Sequence, residues 1–207
     1  MKHVADFSDY QIGINFNTLG VHYDGVIVKV SEGCTLMEYQ EDFIEAAKER
    51  GMAWGVYCLT RARSVERAIL EADTLVDELN RIRNNIIDPW GPTLGIWFDI
   101  EPDQAAKVGD PDLLTAMASA FICRCMDRGY KNLGSLQPGV YGTYDTLTNN
   151  FKPYDLEKWV PYWVAEPGNW KCDFKAENPD LKVVLWQKEF NKPFAGKEVD
   201  DNEYYEG

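Results

Sequence analysis

Eight short apolar runs, separated by polar turns and helical stripes, constrain this chain more than any single motif. They are "HVADFS" (3–8), "DGVIVKVSEG" (24–33), "MAWGVYCLT" (52–60), "TLGIWFDIEP" (93–102), "PGVYGT" (138–143), "VPYWVAEP" (160–167), "KVVLWQKE" (182–189) and "KEVDDN" (197–202). Several are apolar almost throughout, the pattern of strands buried on both faces of a mainly parallel sheet. Helical periodicity fills many of the gaps. It predicts a helix over 37–50 stopped by Gly51, one over 64–84 capped by Ser64, and one opened by Asp110-Pro111 and closed by Gly129. Residues 143–160 hold a turn or two of helix, and 166–181 reads as a loop. Alternating strands and helices give an α/β fold. Eight strands with fewer than eight regular helices favour a reduced (β/α)8-type barrel over an open doubly wound sheet. No Gly-x-Gly-x-x-Gly follows the first strand, which disfavours a dinucleotide site.

The 207 residues suit one catalytic domain, 1–207. No run approaches the roughly 18 apolar residues of a membrane helix. The start, "MKHVADFSDYQ", lacks a signal peptide's apolar core and cleavage site. The expectation is therefore either cytoplasmic synthesis or a secreted protein without its leader. A net charge of −13 argues against nucleic-acid partners and anionic membrane surfaces, because nothing basic is left over to meet phosphates. A monomer is expected. The five cysteines, Cys34, Cys58, Cys123, Cys125 and Cys172, form no Cys-x-x-Cys and read as reduced core residues. With only His3 and His22 in the chain, a Ser-His-Asp triad or histidine-rich zinc site has no material. Neither a metal nor a cofactor is expected, and the chemistry falls to carboxylates.

Those carboxylates recur at strand ends. In "FDIE", Asp99 and Glu101 are two apart on a strand, so they share a face with Cα atoms ~6.6 Å apart. A barrel's active site lies at the C-terminal ends of its strands. Other runs end in the same way, at Asp6, Glu32, Tyr57, Tyr141, Trp163 (with Glu166 beyond it), Trp186, Gln187 and Asp200. The sum is an acidic floor ringed by aromatics. Clustered carboxylates cannot all ionise freely, so at least one pKa rises. A raised carboxyl beside an ionised one suits general-acid cleavage of a glycosidic bond, and aromatic rings suit sugar faces. Each piece has a plainer reading. Asp6 can cap a turn, Glu32 can pair with Lys29, and Trp97, Trp163 and Trp186 can be core residues. Two other functions fit the same acids: a non-catalytic carbohydrate or cell-wall-binding module, and a metal-dependent phosphodiesterase.

The ordered pieces "ADFSDYQ" (5–11), "VKVSEG" (28–33), "GVYCL" (55–59), "FDIE" (98–101), "VYG" (140–142), "YWVA" (162–165), "LWQ" (185–187) and "VDDN" (199–202) resemble the glycoside hydrolase family 25 lysozymes, the Chalaropsis-type N-acetylmuramidases, which include phage endolysin catalytic domains. The resemblance implies an irregular, flattened β/α barrel. It implies hydrolysis of the β-1,4 bond between N-acetylmuramic acid and N-acetylglucosamine in peptidoglycan. It makes Glu101 the general acid, with Asp99 assisting and Asp6 and Asp200 lining the site. It gives substrate contacts to Glu32, Tyr57, Tyr141, Trp163, Trp186 and Gln187. Glu166-Pro167 after "YWVA", Lys188 after "LWQ" and Cys58 after Tyr57 depart from the family pattern.

Overall fold

The computed structural model describes residues 2–88, 90–131 and 136–205. In chain order the elements are β1 (Lys2–Phe7), α1 (Phe16–His22), β2 (Gly25–Glu32), β3 (Thr35–Leu36), α2 (Gln40–Glu49), β4 (Ala53–Leu59), α3 (Val65–Ile86), β5 (Ile96–Ile100), α4 (Pro102–Val108), α5 (Pro111–Cys125), β6 (Gly139–Thr143), α6 (Tyr144–Asn149), β7 (Pro161–Ala165), α7 (Asp173–Glu177), β8 (Lys182–Phe194) and β9 (Lys197–Tyr204). The sheet runs β1-β9-β8-β7-β6-β5-β4-β2, and a β1–β2 pairing closes it into an eight-stranded barrel with β3 appended to β2. Seven α-helices among the described residues pack outside it, so the barrel is helix-poor as predicted.

Strand alternation divides the core in two. Inward-facing Val4, Ile27, Trp97, Trp163 and Leu185 fill the barrel. The outward set packs under the helices, with Val26, Val28, Phe98, Val140 and Val164 against the α3 and α5 stripes. On α3 the buried residues Ala68, Ala72, Leu75, Val76, Leu79 and Ile82 are the predicted stripe, and Ser64 Oγ accepts from Arg67 N at 3.3 Å. On α5 Asp110 caps the helix through Asp112 N and Leu113 N.

The sheet is mainly parallel, as expected, and its last strand is the exception among the barrel strands. β9 is antiparallel to both β8 and β1. The cause is local: only Ala195 and Gly196 join β8 to β9, both at positive φ (48° and 81°). A two-residue turn of that hand makes a hairpin, whereas a parallel neighbour needs a crossover of about a dozen residues. The early part of β9 therefore lies at the C-terminal mouth of the other strands. Beyond the barrel, β8 and β9 continue as a projecting arm.

The stretch 166–181, expected to be a loop, contains α7. Glu166 Oε2 accepts the Phe174 amide at 3.1 Å and holds that helix start. Also unforeseen were α1, whose Asn15 cap accepts from Asn17 N and Thr18 N, and α4. All five cysteines are free, but only Cys58, Cys125 and Cys172 are buried; Cys123 is exposed and Cys34 half-buried. No described helix is long and apolar enough to cross a membrane.

Candidate active site

The inward parity of the strands, carried to the mouth, builds one polar cluster. Asp6 pairs in register with Asp200 across β1 and β9. Asp99 sits opposite Tyr141 on β6, and Gln187 opposite Asn202 on β9. Glu101 follows β5 as the N-cap residue of α4, with Pro102 at the first helical position.

Two amides organise the acids. Gln187 Nε2 donates to Asp6 Oδ2 at 2.9 Å and to Asp200 Oδ2 at 3.1 Å, while its Oε1 accepts from the Tyr141 hydroxyl at 2.6 Å. Asn202 Nδ2 donates to the same Asp6 oxygen at 2.7 Å, and its Oδ1 accepts from Trp163 Nε1 at 2.7 Å. Asp200 Oδ1 takes the Asn191 amide at 2.7 Å. Each amide is thus oriented by an aromatic donor before it meets a carboxylate. Trp163 contacts Tyr141, Trp97 and Tyr57 with centroids 4.4, 5.8 and 6.2 Å away. Beneath the acids lies an aromatic plug, and it keeps water out from below.

Burial is the first cause raising all four carboxyls. For Asp6 the Asp200 charge adds to it, against the pull of the Asn202 and Gln187 hydrogen bonds. For Asp99 the Glu101 charge adds to it, opposed by Lys29 and Arg61. For Glu101 the Asp103 charge adds, again opposed by Arg61 and Lys29. Asp200 is raised mainly by burial, against the Asn191 amide. Tyr57 and Tyr141 feel all four acids, which with burial hold both phenols protonated. Asp99 is 4% exposed, and its Oδ1 has no hydrogen-bond partner among the described residues. It is an acceptor facing the cluster with nothing yet to accept.

The structure therefore brings together Asp6, Asp99, Glu101, Asp200, Tyr57, Tyr141 and Gln187. Three other expected residues stand elsewhere. Trp186 is 4% exposed and faces outward into the helix-side core, with Nε1 donating to Glu166 O. A bulge in the β7–β8 register, at Val184, which has no partner on β7, sets that parity. It cannot be a sugar wall. Trp163, 2% exposed, is enclosed by the plug and presents no open face. Glu32 is at the rim, held by Lys29 at 2.7 Å and by Arg61 Nε and Nη2 at 2.9 and 2.7 Å. Those hydrogen bonds keep its carboxyl below the usual range, so Glu32 is an anchor for cations. Glu166 likewise faces outward and serves α7. Cys58 is buried in the helix-side core, and Lys188 pairs with Glu203 at 2.8 Å.

Sequence reasoning passed over Lys29, Arg61 and Asn202. Lys29 shares the inward parity of Ile27, two residues before it, and a lysine inside a barrel has to meet acids. Asn202 bears the same relation to Asp200. Lys29→Gln should raise the apparent pKa values of the Asp99–Glu101 pair. We expect the whole pH–rate profile to move up by roughly one pH unit, read as kcat/KM against pH. An unmoved profile would show that Lys29 serves only Glu32. Among the described residues no group of three or more His, Cys, Asp or Glu side chains is arranged to hold a metal ion.

Known proteins share the architecture. The catalytic domain of the endolysin ply40, from a bacteriophage of Listeria monocytogenes, superposes with a TM-score of 0.75 at 23% identity, covering 99% of this chain and 93% of that one. The Streptomyces coelicolor lysozyme gives 0.73 at 18%, covering 98% and 91%. The modular autolysin LytC from Streptococcus pneumoniae, solved with a synthetic peptidoglycan ligand, gives 0.77 at 21%, covering 99% of this chain and 46% of that one. This chain thus spans about half of the autolysin's length. Among curated proteins, none matches the chain by sequence. At these identities the likeness establishes the fold. The family model described as glycosyl hydrolases family 25 matches residues 5–196, nearly the whole chain, which therefore belongs to that family and is a glycoside hydrolase.

Proposed function

We propose that this chain is a muramidase acting on the bacterial cell wall. It hydrolyses the β-1,4 bond between N-acetylmuramic acid and N-acetylglucosamine in peptidoglycan, with Glu101 as the general acid and Asp99 assisting. The observation that carries this reading is the mouth cluster itself: two carboxyls on one strand end, both raised by burial, beside an amide-bound Asp6–Asp200 pair. Relatives that share the fold include lysozymes, endolysins and an autolysin bound to a peptidoglycan ligand.

The chemistry follows from which acid holds the proton. The charge on Glu101 raises Asp99, and the two titrate as a pair. Glu101 is the more exposed of the two, within reach of a bound sugar's glycosidic oxygen, while Asp99 is buried behind it, so we assign the transferred proton to Glu101. Glu101 gives that proton to the glycosidic oxygen as the C–O bond breaks and its electrons pass to the leaving alcohol. The Asp99 carboxylate accepts the N–H of the substrate's 2-acetamido group, and the amide oxygen, so activated, bonds to the anomeric carbon as the glycosidic bond breaks. Water then attacks the anomeric carbon, its proton passing to Glu101, as the bond to the amide oxygen breaks and the acetamido group, its N–H still on Asp99, is restored. Asp6, fixed by Gln187 and Asn202, and Asp200, fixed by Gln187 and the Asn191 amide, hold the sugar. Tyr57 and Tyr141 stay neutral beside it.

Hydrolysis of purified peptidoglycan tests the reading directly. New reducing ends on muramic acid are the expected result. Reducing ends on glucosamine would assign the other glycosidic bond. Binding without release would make the chain a wall-binding module.

A further inference from the structure

Next to the acids, an open groove of about 860 Å³ lies between the turn Asp9–Gln11 and the β8–β9 arm. Tyr10, Gln11, Asn191, Phe194, Lys197 and Glu198 are among its walls. None of the four acids lines it, but two of its walls adjoin them. Asn191, in its wall, gives its amide to Asp200, and Glu198 is two residues from Asp200 on β9. The groove therefore lies beside the carboxylates, within reach of a polymer bound across them.

The turn that carries Tyr10 is built rigidly. Gln11 Oε1 accepts from Ser8 N at 2.8 Å and from Ser8 Oγ at 3.3 Å. Gln11 Nε2 then crosses the groove's base to Glu198 O at 2.8 Å, tying the turn to the arm. On this fixed support the Tyr10 ring is 88% exposed. An aromatic face held in water at a set position loses little further freedom when a ligand covers it. The groove's charges also select. Lys197 and Glu198 are adjacent and opposite, so a strongly charged ligand gains little there, and the chain's net charge of −13 repels anions. A neutral ligand with apolar ring faces and a hydroxyl edge fits: pyranose faces on Tyr10, hydroxyls on the Asn191 and Gln11 side.

We propose that this groove is a sugar-binding extension of the active site, with Tyr10 as its stacking platform, and that it makes the enzyme prefer long glycan strands to short ones. The proposal rests on the muramidase reading for the identity of the glycan. Its test is binding, which stands apart from hydrolysis. Glu101→Gln protein is titrated calorimetrically with peptide-free peptidoglycan glycan of two and of about eight sugars. The long strand should bind at least tenfold tighter than the short one. Adding Tyr10→Ala should remove about tenfold from the long strand's affinity, and Tyr10→Phe should keep it. Equal affinity of the long strand for the parent and Tyr10→Ala proteins overturns the proposal. So does a length advantage seen only with strands that still carry stem peptides, since the peptide would then be the occupant. Failure to bind any glycan overturns it too. If the native chain hydrolyses nothing while the titration succeeds, the groove stands and the catalytic reading falls.

Discussion

Glu101→Gln should lower peptidoglycan hydrolysis by about 10³-fold at the pH optimum, with the fold intact. The structure favours a clean experiment. Glu101 is the N-cap residue of α4, yet its side chain makes no capping hydrogen bond, so an isosteric amide leaves the helix start unchanged. Its carboxyl is half-buried and raised, first by burial and then by Asp103, so the substitution removes no stabilising partnership. The pH–rate profile gives the sharper diagnostic. In the native enzyme the alkaline limb reports loss of the shared proton and the acid limb reports its capture by the second carboxylate, both within a coupled pair. The residual activity of Glu101→Gln should lack the alkaline limb. Asp99→Asn should lose activity by a comparable factor and lack the acid limb instead. A Glu101→Gln enzyme that keeps both limbs and more than a tenth of its rate would take the proton donor away from this residue.

The second large effect is on stability. Asp6, Asp99, Glu101 and Asp200 all have folded-state pKa values above their unfolded ones. An acid raised on folding contributes stability in full below its unfolded pKa, near 4. That contribution is lost as pH rises through the folded value. Glu32, Glu41, Asp73, Glu78 and Asp103 are lowered by hydrogen bonds and cations. Their contribution has the opposite sign and is lost as pH falls below about 4. The melting temperature should therefore peak on the acid side of neutrality and fall toward pH 8. Asp99→Asn removes a buried, partly unpartnered charge. It should raise Tm by roughly 3–6 °C at pH 7.5 and by little at pH 4.5. A destabilisation equal at both pH values would mean that Asp99 acts in packing, whatever its charge. Together with the lost activity, the expected pattern would identify the cluster as strain held for function.

Much of this was legible beforehand, for a physical reason. Period-two alternation and two acids after "IWF" are strong constraints, because a buried strand cannot end in carboxylates without other groups to meet them. What escaped was set by features with no period. α4, with seven residues, is too short to show a stripe. The direction of β9 depends on two residues, Ala195 and Gly196. Trp186 faces outward because a bulge at Val184 shifts the parity of β8, and alternation counted along the strand cannot register a bulge. Glu32 was read both as a substrate contact and as the partner of Lys29, and sequence offered no measure to choose. Lys29 itself was read only as a partner for Glu32, although its inward parity made it a cation of the site.

The reversed last strand has a bearing on when the enzyme can act. Asp6 is held by Asn202, 196 positions away, and by Gln187, 181 positions away. β9 enters the sheet between β1 and β8 and completes the ring. A nascent or truncated chain without residues 197–204 lacks Asp200 and Asn202, leaves β1 unpaired on one edge, and leaves the Asp6 carboxylate without one of its two amides. The most distant contacts form last, because the loop they close is longest. Assembly of the acid cluster is thereby tied to residues 197–204, and a fragment that stops short of them carries Asp6, Asp99 and Glu101 without the strand that orders the first of these.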